Sequence, residues 1–424
     1  MATDPQLATS HAAAGIDGPR ITAIETAIPE HIMPGLMLLR IHTDAGDTVI
    51  GHGETYYAPH AVAAMIHDWM ARRLIDGDAM AVESHWRFLY ERTTSFGTRG
   101  AELRAISAID LALWDVLGQV TGQPIWRLLG GPVRDGITLY NSCGGPSYGG
   151  SRQDGAVNHG RPGHGDIGRP GPLEDNYNSN FNPGDLAEEL IAEGYTAMKL
   201  WTLDRAAHAR GGLHISWADL KDALKPFHEI RKRVGDRIEL CLDGHALFHL
   251  PAALRIAEAM RDIQPLWLED VLRMDSIDTL ADFRDKAGVP IAASEMLLSR
   301  TDYVQLLERR AADYVMIDPT WVGGISETHR VAHLAQAYNL PVLMHDCTGP
   351  LTTLAGIQVA GAVTNVAFQE TVRAHIRTLY DRLIDTNLVV DAGRAMLPTR
   401  PGIGARWLDE LFDPSLPHHR MTRR

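Results

Sequence analysis

Six short apolar runs between Ile238 and Glu370 constrain this chain more than any other feature. They read IELCLDGH, PLWLED, PIAASE, YVMIDP, PVLMHD and VAFQE, and each delivers a polar residue at its end: Asp243, Glu269, Glu295, Asp318, His345 and Glu370. Successive members lie roughly 25 residues apart, the length of one strand plus one crossover helix. Helical patterns fill the intervals, as in LPAALRIAEAMRDI and SIDTLADFRDKAG. Two earlier runs, ITLYNSCGG and TAMKLW, bring the number of strands to eight. Strands and helices alternating in this way predict a parallel sheet closed into a barrel, with a site on the C-terminal rim.

At 424 residues the chain accommodates a barrel of about 250 residues and a smaller companion. Residues 20–58 alternate apolar and polar and predict an antiparallel meander; from His60 the period becomes helical, through VESHWRFLYERTT and AELRAISAIDLALWDVLGQVTG. The expected division is an α+β unit over 1–135, a barrel over 136–385 and a tail over 386–424 that lies back on the first unit. Pro146 to Pro183 is crowded with Gly, Pro, Asn, Arg and His. Its His159 and His164 read as parts of a lid or partner contact rather than as ligands.

Composition narrows the function. A net charge of −13 offers no basic surface to nucleic acid or anionic membrane. Cys143, Cys241 and Cys347 lack the paired spacing of metal ligands and read as small buried residues in a reducing compartment. Neither a signal peptide nor a run long enough to span a bilayer is visible, so a cytoplasmic protein is expected. The exposed helices of the first unit favour self-association into a homo-oligomer.

Asp243, Glu269 and Glu295 end three consecutive strands. Neighbouring strands lie about 4.8 Å apart, so these carboxylates converge, and a hard divalent cation is the simplest compensation for their repulsion. Oxygen-only donors favour Mg²⁺ over Zn²⁺. Asp318 and His345 end adjacent strands, an arrangement suited to a general base whose tautomer is fixed by a carboxylate. Lys199 and Trp201 share a face of the second strand; Lys199 can neutralise a substrate carboxylate or act as a base. His245 lies on the same face as Asp243 and serves either as an acid or as support for the metal site. Glu370, if protonated, can donate to a developing oxyanion.

Taken together these motifs resemble the enolase superfamily, in particular its mandelate racemase-like sugar-acid dehydratases such as galactonate dehydratase. The likeness extends over nearly the whole chain: the meander, SAIDLALWDVLGQVTGQPIWRLLGG, the Lys199 strand, Asp-x-His, the Glu-bearing strands, DPTWVGGISE, His345 and FQE. It implies a modified TIM barrel, (β/α)7β, with an N-terminal α+β capping domain. It also implies one Mg²⁺ on Asp243, Glu269 and Glu295, a His345–Asp318 base, His245 as acid, and Lys199 and Glu370 as substrate-stabilising groups. Racemases of this group carry a second lysine where Trp201 stands, which turns the expectation from proton return toward elimination. The fourth strand reads LEDV where Glu-Glu-Pro is common, and the fifth reads ASE where AGE is common.

The expected reaction is dehydration of an aldonate or aldarate, a small-molecule carboxylate, through an enediolate to a 2-keto-3-deoxy acid. Its rivals are an epimerase, racemase or cycloisomerase using the same enediolate, and an idle barrel that binds a partner through Pro146 to Pro183. Substrate choice is expected to depend on Ile28 to Met37, Thr94 to Arg99 and the insertion.

Overall fold

The computed structural model describes residues 18–97, 99–146, 148 and 167–424. His159, His164 and most of the insertion lie outside the described residues. Eight parallel strands follow one another around a closed ring: β4 (Gly136–Ser142), β5 (Ala197–Leu200), β6 (Glu239–Asp243), β7 (Trp267–Glu269), β8 (Ile291–Ala293), β9 (Tyr314–Ile317), β10 (Val342–Met344) and β11 (Val366–Thr371). The ring closes where Gln369, Glu370 and Thr371 of β11 pair in parallel with Leu139, Tyr140 and Asn141 of β4.

One residue from each strand fills the interior: Tyr140, Ala197, Cys241, Trp267, Ala292, Met316 and Leu343 are buried together, with Phe368 packed against them. The rings of Tyr140, Trp267 and Phe368 meet at centroid distances of 5.2–6.3 Å and close the barrel's middle. Strand side chains repeat every second residue. Two positions beyond these plug residues therefore come Lys199, Asp243, Glu269, Asp318, His345 and Glu370, on the same inward face but one layer nearer the C-terminal rim. Glu295 departs from this spacing, three beyond Ala292 and after β8 has ended.

The N-terminal sheet is antiparallel, with β1 (Ile21–Ala27), β2 (Leu36–Thr43) and β3 (Ile50–Tyr56). Against it lie α1 (Pro59–Ala64), α2 (Val82–Thr93) and α3 (Ala101–Thr121). Gly51 and Gly53 let α3 lie directly on β3, since a Cβ at either position would collide with the carbonyls of Ala112 and Ala108. The tail divides rather than lying wholly on this unit as expected. Its β12 (Val390–Asp391) and β13 (Arg394–Met396) form a hairpin that joins β4 of the barrel. Only later does the tail reach the N-terminal sheet, where Trp407 Nε1 donates to the Gly53 carbonyl and β14 (Arg420–Arg423) pairs with β1. Gly136, Ile137 and Thr138 at the start of β4, which neither barrel neighbour pairs, and the outer edge of β1 receive the two parts of the tail.

Buried carboxyls join the two layers. Asp110 on α3 accepts from Ser326 N and Oγ, at 3.0 and 2.6 Å, at the start of α4 (Gly324–Ala337). Glu54 on β3 accepts from Thr352 N and Oγ1, both at 2.6 Å, in the first turn of α5 (Pro350–Ala360). Both carboxyls sit on unpaired N–H groups at helix starts. Among the described residues no helix is long and apolar enough to cross a membrane.

Burial raises the Glu54 carboxyl from 4.5 to about 8, against the lowering effect of its hydrogen bonds from Thr352. A folded-state pKa above the unfolded one means that the stabilisation is complete below about 4.5 and is lost as pH rises through about 8. Glu54→Gln removes this titration. Its stability to urea is expected to fall less than that of the parent across that window, by a few kcal/mol; parallel pH profiles would refute the assignment.

Candidate active site

The barrel rim places a single ammonium among several acids. Lys199, 1% exposed, directs Nζ to Asp243 Oδ2 at 3.0 Å, to Glu370 Oε1 at 2.7 Å and to Glu269 Oε1. Burial disfavours its charge, but Asp243, Glu269 and Glu370 outweigh that and hold its pKa well above that of a free lysine. Lys199 is thereby held as a cation among these acids. Glu370 is also buried, yet Lys199 and His345 keep its pKa below the usual carboxylate range. Its Oε2 accepts from Asp346 N at 3.3 Å.

His345 Nδ1 lies 2.8 Å from Asp318 Oδ2. The other Asp318 oxygen is held by Thr320 N and Oγ1 at 2.7 and 2.8 Å. With Nδ1–H directed to Asp318, the neutral ring carries its lone pair on Nε2. That atom faces Glu370 Oε2 at 3.8 Å and Cys347 Sγ at 3.7 Å. Burial lowers the His345 pKa, while Glu370, Cys347 and the Asp318 bond together carry it well above an ordinary imidazole. The neighbouring Asp346 turns away, accepting from Thr348 N and Gly349 N.

Across the ring, His245 pairs with a residue that sequence spacing did not single out. Its Nδ1 lies 3.1 Å from Asp204 Oδ1, at the start of a short helix after β5, and its Nε2 is 3.5 Å from Asp243 Oδ2. Burial acts against its charge, but Asp204 and Asp243 push its pKa up to about 10. β6 and β10 are four strands apart in a ring of eight, so the two histidine–carboxylate pairs stand on opposite sides. Trp201 lies beside His245, ring centroids 5.9 Å apart, and beside Tyr148 at 5.4 Å. Trp321 covers His345 at 5.1 Å and meets Tyr57 of the N-terminal unit at 5.5 Å. Arg104, from α3, stacks over Trp321 at 4.3 Å.

Asp243, Glu269 and Glu295, the carboxylates from β6, β7 and the end of β8, are 2%, 0% and 3% exposed. Asp270, next to Glu269, contacts Glu295, and burial with this second carboxyl raises the Asp270 pKa far above normal. Glu295 Oε2 and Asp270 Oδ1 are buried and receive no N–H or hydroxyl donor. Acidic oxygens that face one another in an all-oxygen, over-acidic set suit a hard divalent cation. The three carboxylates are nevertheless not drawn into a set whose donor atoms all lie within 4.8 Å of one another; Lys199 lies between two of them and Glu295 leans on Asp270.

A parallel barrel with acids at successive strand ends, roofed by an α+β unit, defines the class of protein. The chain belongs to the mandelate racemase/muconate lactonizing enzyme family of the enolase superfamily: residues 10–130 match the mandelate racemase/muconate lactonizing enzyme N-terminal domain and residues 184–411 the enolase C-terminal domain-like family. This membership implies a divalent metal cofactor. A crystal structure of an enolase protein from environmental sequencing of the Sargasso Sea superposes with a TM-score of 0.83 at 37% identity, covering 96% of this chain and 99% of that one. An enolase of the mandelate racemase subgroup from Agrobacterium tumefaciens gives 0.82 at 34% identity, covering 95% and 99%. Among curated relatives, arabinonate dehydratase of Saccharolobus solfataricus is 24% identical over 94% of this chain and 95% of its own length. D-xylonate dehydratase of Haloferax volcanii is 27% identical over 92% and 87%.

Lys199→Met leaves three buried acids without their shared cation, an expected cost of about 3–5 kcal/mol. Thermal denaturation with chelator should show the loss, and a saturating divalent cation should recover more stability in the variant than in the parent. Equal metal-induced shifts would show that ammonium and metal do not share one charge balance.

Proposed function

We propose that the protein is a Mg²⁺-dependent sugar-acid dehydratase acting on an aldonate or aldarate. The observation that carries the reading is the pair of histidine–carboxylate contacts on opposite sides of one acid cluster, His345–Asp318 and His245–Asp204. The names of the curated relatives, which dehydrate arabinonate and xylonate, favour elimination over the other outcomes of the same first step.

Asp243, Glu269 and Glu295 would hold the metal. When bound, it supplies positive charge against the negative charge that builds on the substrate carboxylate as the α-proton leaves. Neutral His345, oriented by Asp318, takes that proton on Nε2. Lys199 stands where its ammonium can stabilise charge on substrate oxygen, and Glu370 keeps both Lys199 and His345 in position. His245, held by Asp204, gives a proton to the 3-hydroxyl; the C3–O bond breaks and water departs. The resulting enol takes a proton at C3 and becomes a 2-keto-3-deoxy acid. Trp201, Tyr148 and Trp321 form aromatic walls around the two histidines and limit access of bulk water.

The opposed histidines also suit a second reading, an epimerase in which His245 returns a proton to the other face of the α-carbon. Retention of the 3-hydroxyl in the product separates it from the first.

Screening aldonic and aldaric acids with Mg²⁺ for 2-keto acid formation is expected to give one substrate or a stereochemically related group. On that substrate, His345→Asn should lower kcat by about 10²–10⁴-fold; wild-type turnover in the variant would remove His345 from the base role. A neutral His345 is required, so activity should rise with pH as it deprotonates. Glu370→Gln removes the adjacent negative charge, lowers the His345 pKa and should move this rise to lower pH. An unmoved pH profile would contradict the coupling.

A further inference from the structure

Three potential metal donors gather where the tail meets the N-terminal unit, remote in sequence from the barrel carboxylates. Among the described residues, the donor atoms of Glu30, His60 and His418 are the one set of three His, Cys, Asp or Glu that all lie within 4.8 Å of one another. His60 Nε2 is 3.4 Å from Glu30 Oε1, and His418 Nε2 is 3.3 Å from the same oxygen. The two imidazoles meet edge to face with centroids 4.5 Å apart.

Those separations are long for hydrogen bonds between histidine and carboxylate, which lie near 2.7–2.9 Å. The next residue of the tail supplies the internal comparison. His419 Nε2 contacts Glu25 Oε1 at 2.7 Å, and His42 Nε2 contacts Glu25 Oε2 at 2.8 Å, a closed and mostly buried hydrogen-bonded set. The Glu30 set is spaced differently. Bonds of about 2.0–2.1 Å to a tetrahedral centre put neighbouring donors about 3.3–3.4 Å apart. Both measured edges have that length, and two imidazole nitrogens with one carboxylate oxygen are donors that suit Zn²⁺ rather than Mg²⁺.

We infer that Glu30, His60 and His418 form a Zn²⁺-binding site with a fourth position open to water. Their side chains are 48%, 56% and 41% exposed, so an ion reaches them directly from solvent. The three ligands come from the turn after β1, the first turn of α1 and the tail just before β14. Beside them a cavity of about 240 Å³ separates Ile28 and Pro29 from Leu411, Leu416 and Pro417. A metal here fastens the tail across that gap onto the 28–37 segment.

The test is equilibrium dialysis of the full-length protein against Zn²⁺ in a large excess of Mg²⁺, followed by metal analysis. One Zn²⁺ per chain should be retained, and Glu269→Gln, in the barrel, should retain it too. His418→Ala and the nearly isosteric Glu30→Gln should each weaken binding by about 100-fold or more, since losing a ligand costs at least as much as losing its supporting partners. Co²⁺ in place of Zn²⁺ should give an intense visible absorption in the parent that both variants lose. Failure of the parent to retain Zn²⁺, or equal retention by parent, His418→Ala and Glu30→Gln, would overturn the site.

Discussion

The burial of the Lys199 ammonium among Asp243, Glu269 and Glu370 sets the terms for everything on the barrel rim. An isolated charge at that depth is prohibitively costly, and so are three carboxylates without a cation. Each makes the other tolerable. Below them, the ring of Tyr140 lies 5.7 Å from Nζ and the aromatic plug shuts off the barrel's lower half. The charged layer can therefore meet solvent only from above, where the N-terminal unit supplies the roof.

That dependence explains why the two units are joined by buried polar contacts instead of a purely apolar seam. Thr55 Oγ1 donates to the Thr320 carbonyl at 3.0 Å, and Thr320 in turn fixes Asp318. Trp86 Nε1 donates to the Gly323 carbonyl at 2.7 Å, and Ser107 Oγ accepts from Gly323 N at 2.9 Å. A strand of one unit thereby sets the orientation of the carboxylate that orients His345. Hydrogen bonds are directional, so this seam transmits position as well as cohesion.

Much of this was legible in the sequence for a simple reason. Parallel strands covered on both faces read as continuous apolar runs, and the inward face repeats every two residues. From Cys241, Trp267, Met316, Leu343 and Phe368 the rim residues follow by counting two. Glu295 breaks the count because its strand has already ended, and only the interval between runs points to it. Asp204 escaped because its contact with His245 joins segments 41 residues apart, with no period connecting them. Asp270 was present as the oddity in LEDV, but its effect on Glu295 is a matter of packing. The division of the tail between β4 and β1 depends on which strand edges are free, which composition does not encode. Tyr148, Trp321 and Arg104 were hidden for the same reason: they become neighbours only when the two units close together.

In the proposed reaction one histidine removes an α-proton and the molecule then loses water. Turnover of an active sugar acid in D₂O with Mg²⁺, followed by proton NMR, tests it most directly. The expected product is a 2-keto-3-deoxy acid carrying a solvent deuteron at C3. An α-deuterated acid that keeps all its hydroxyl groups would contradict the account.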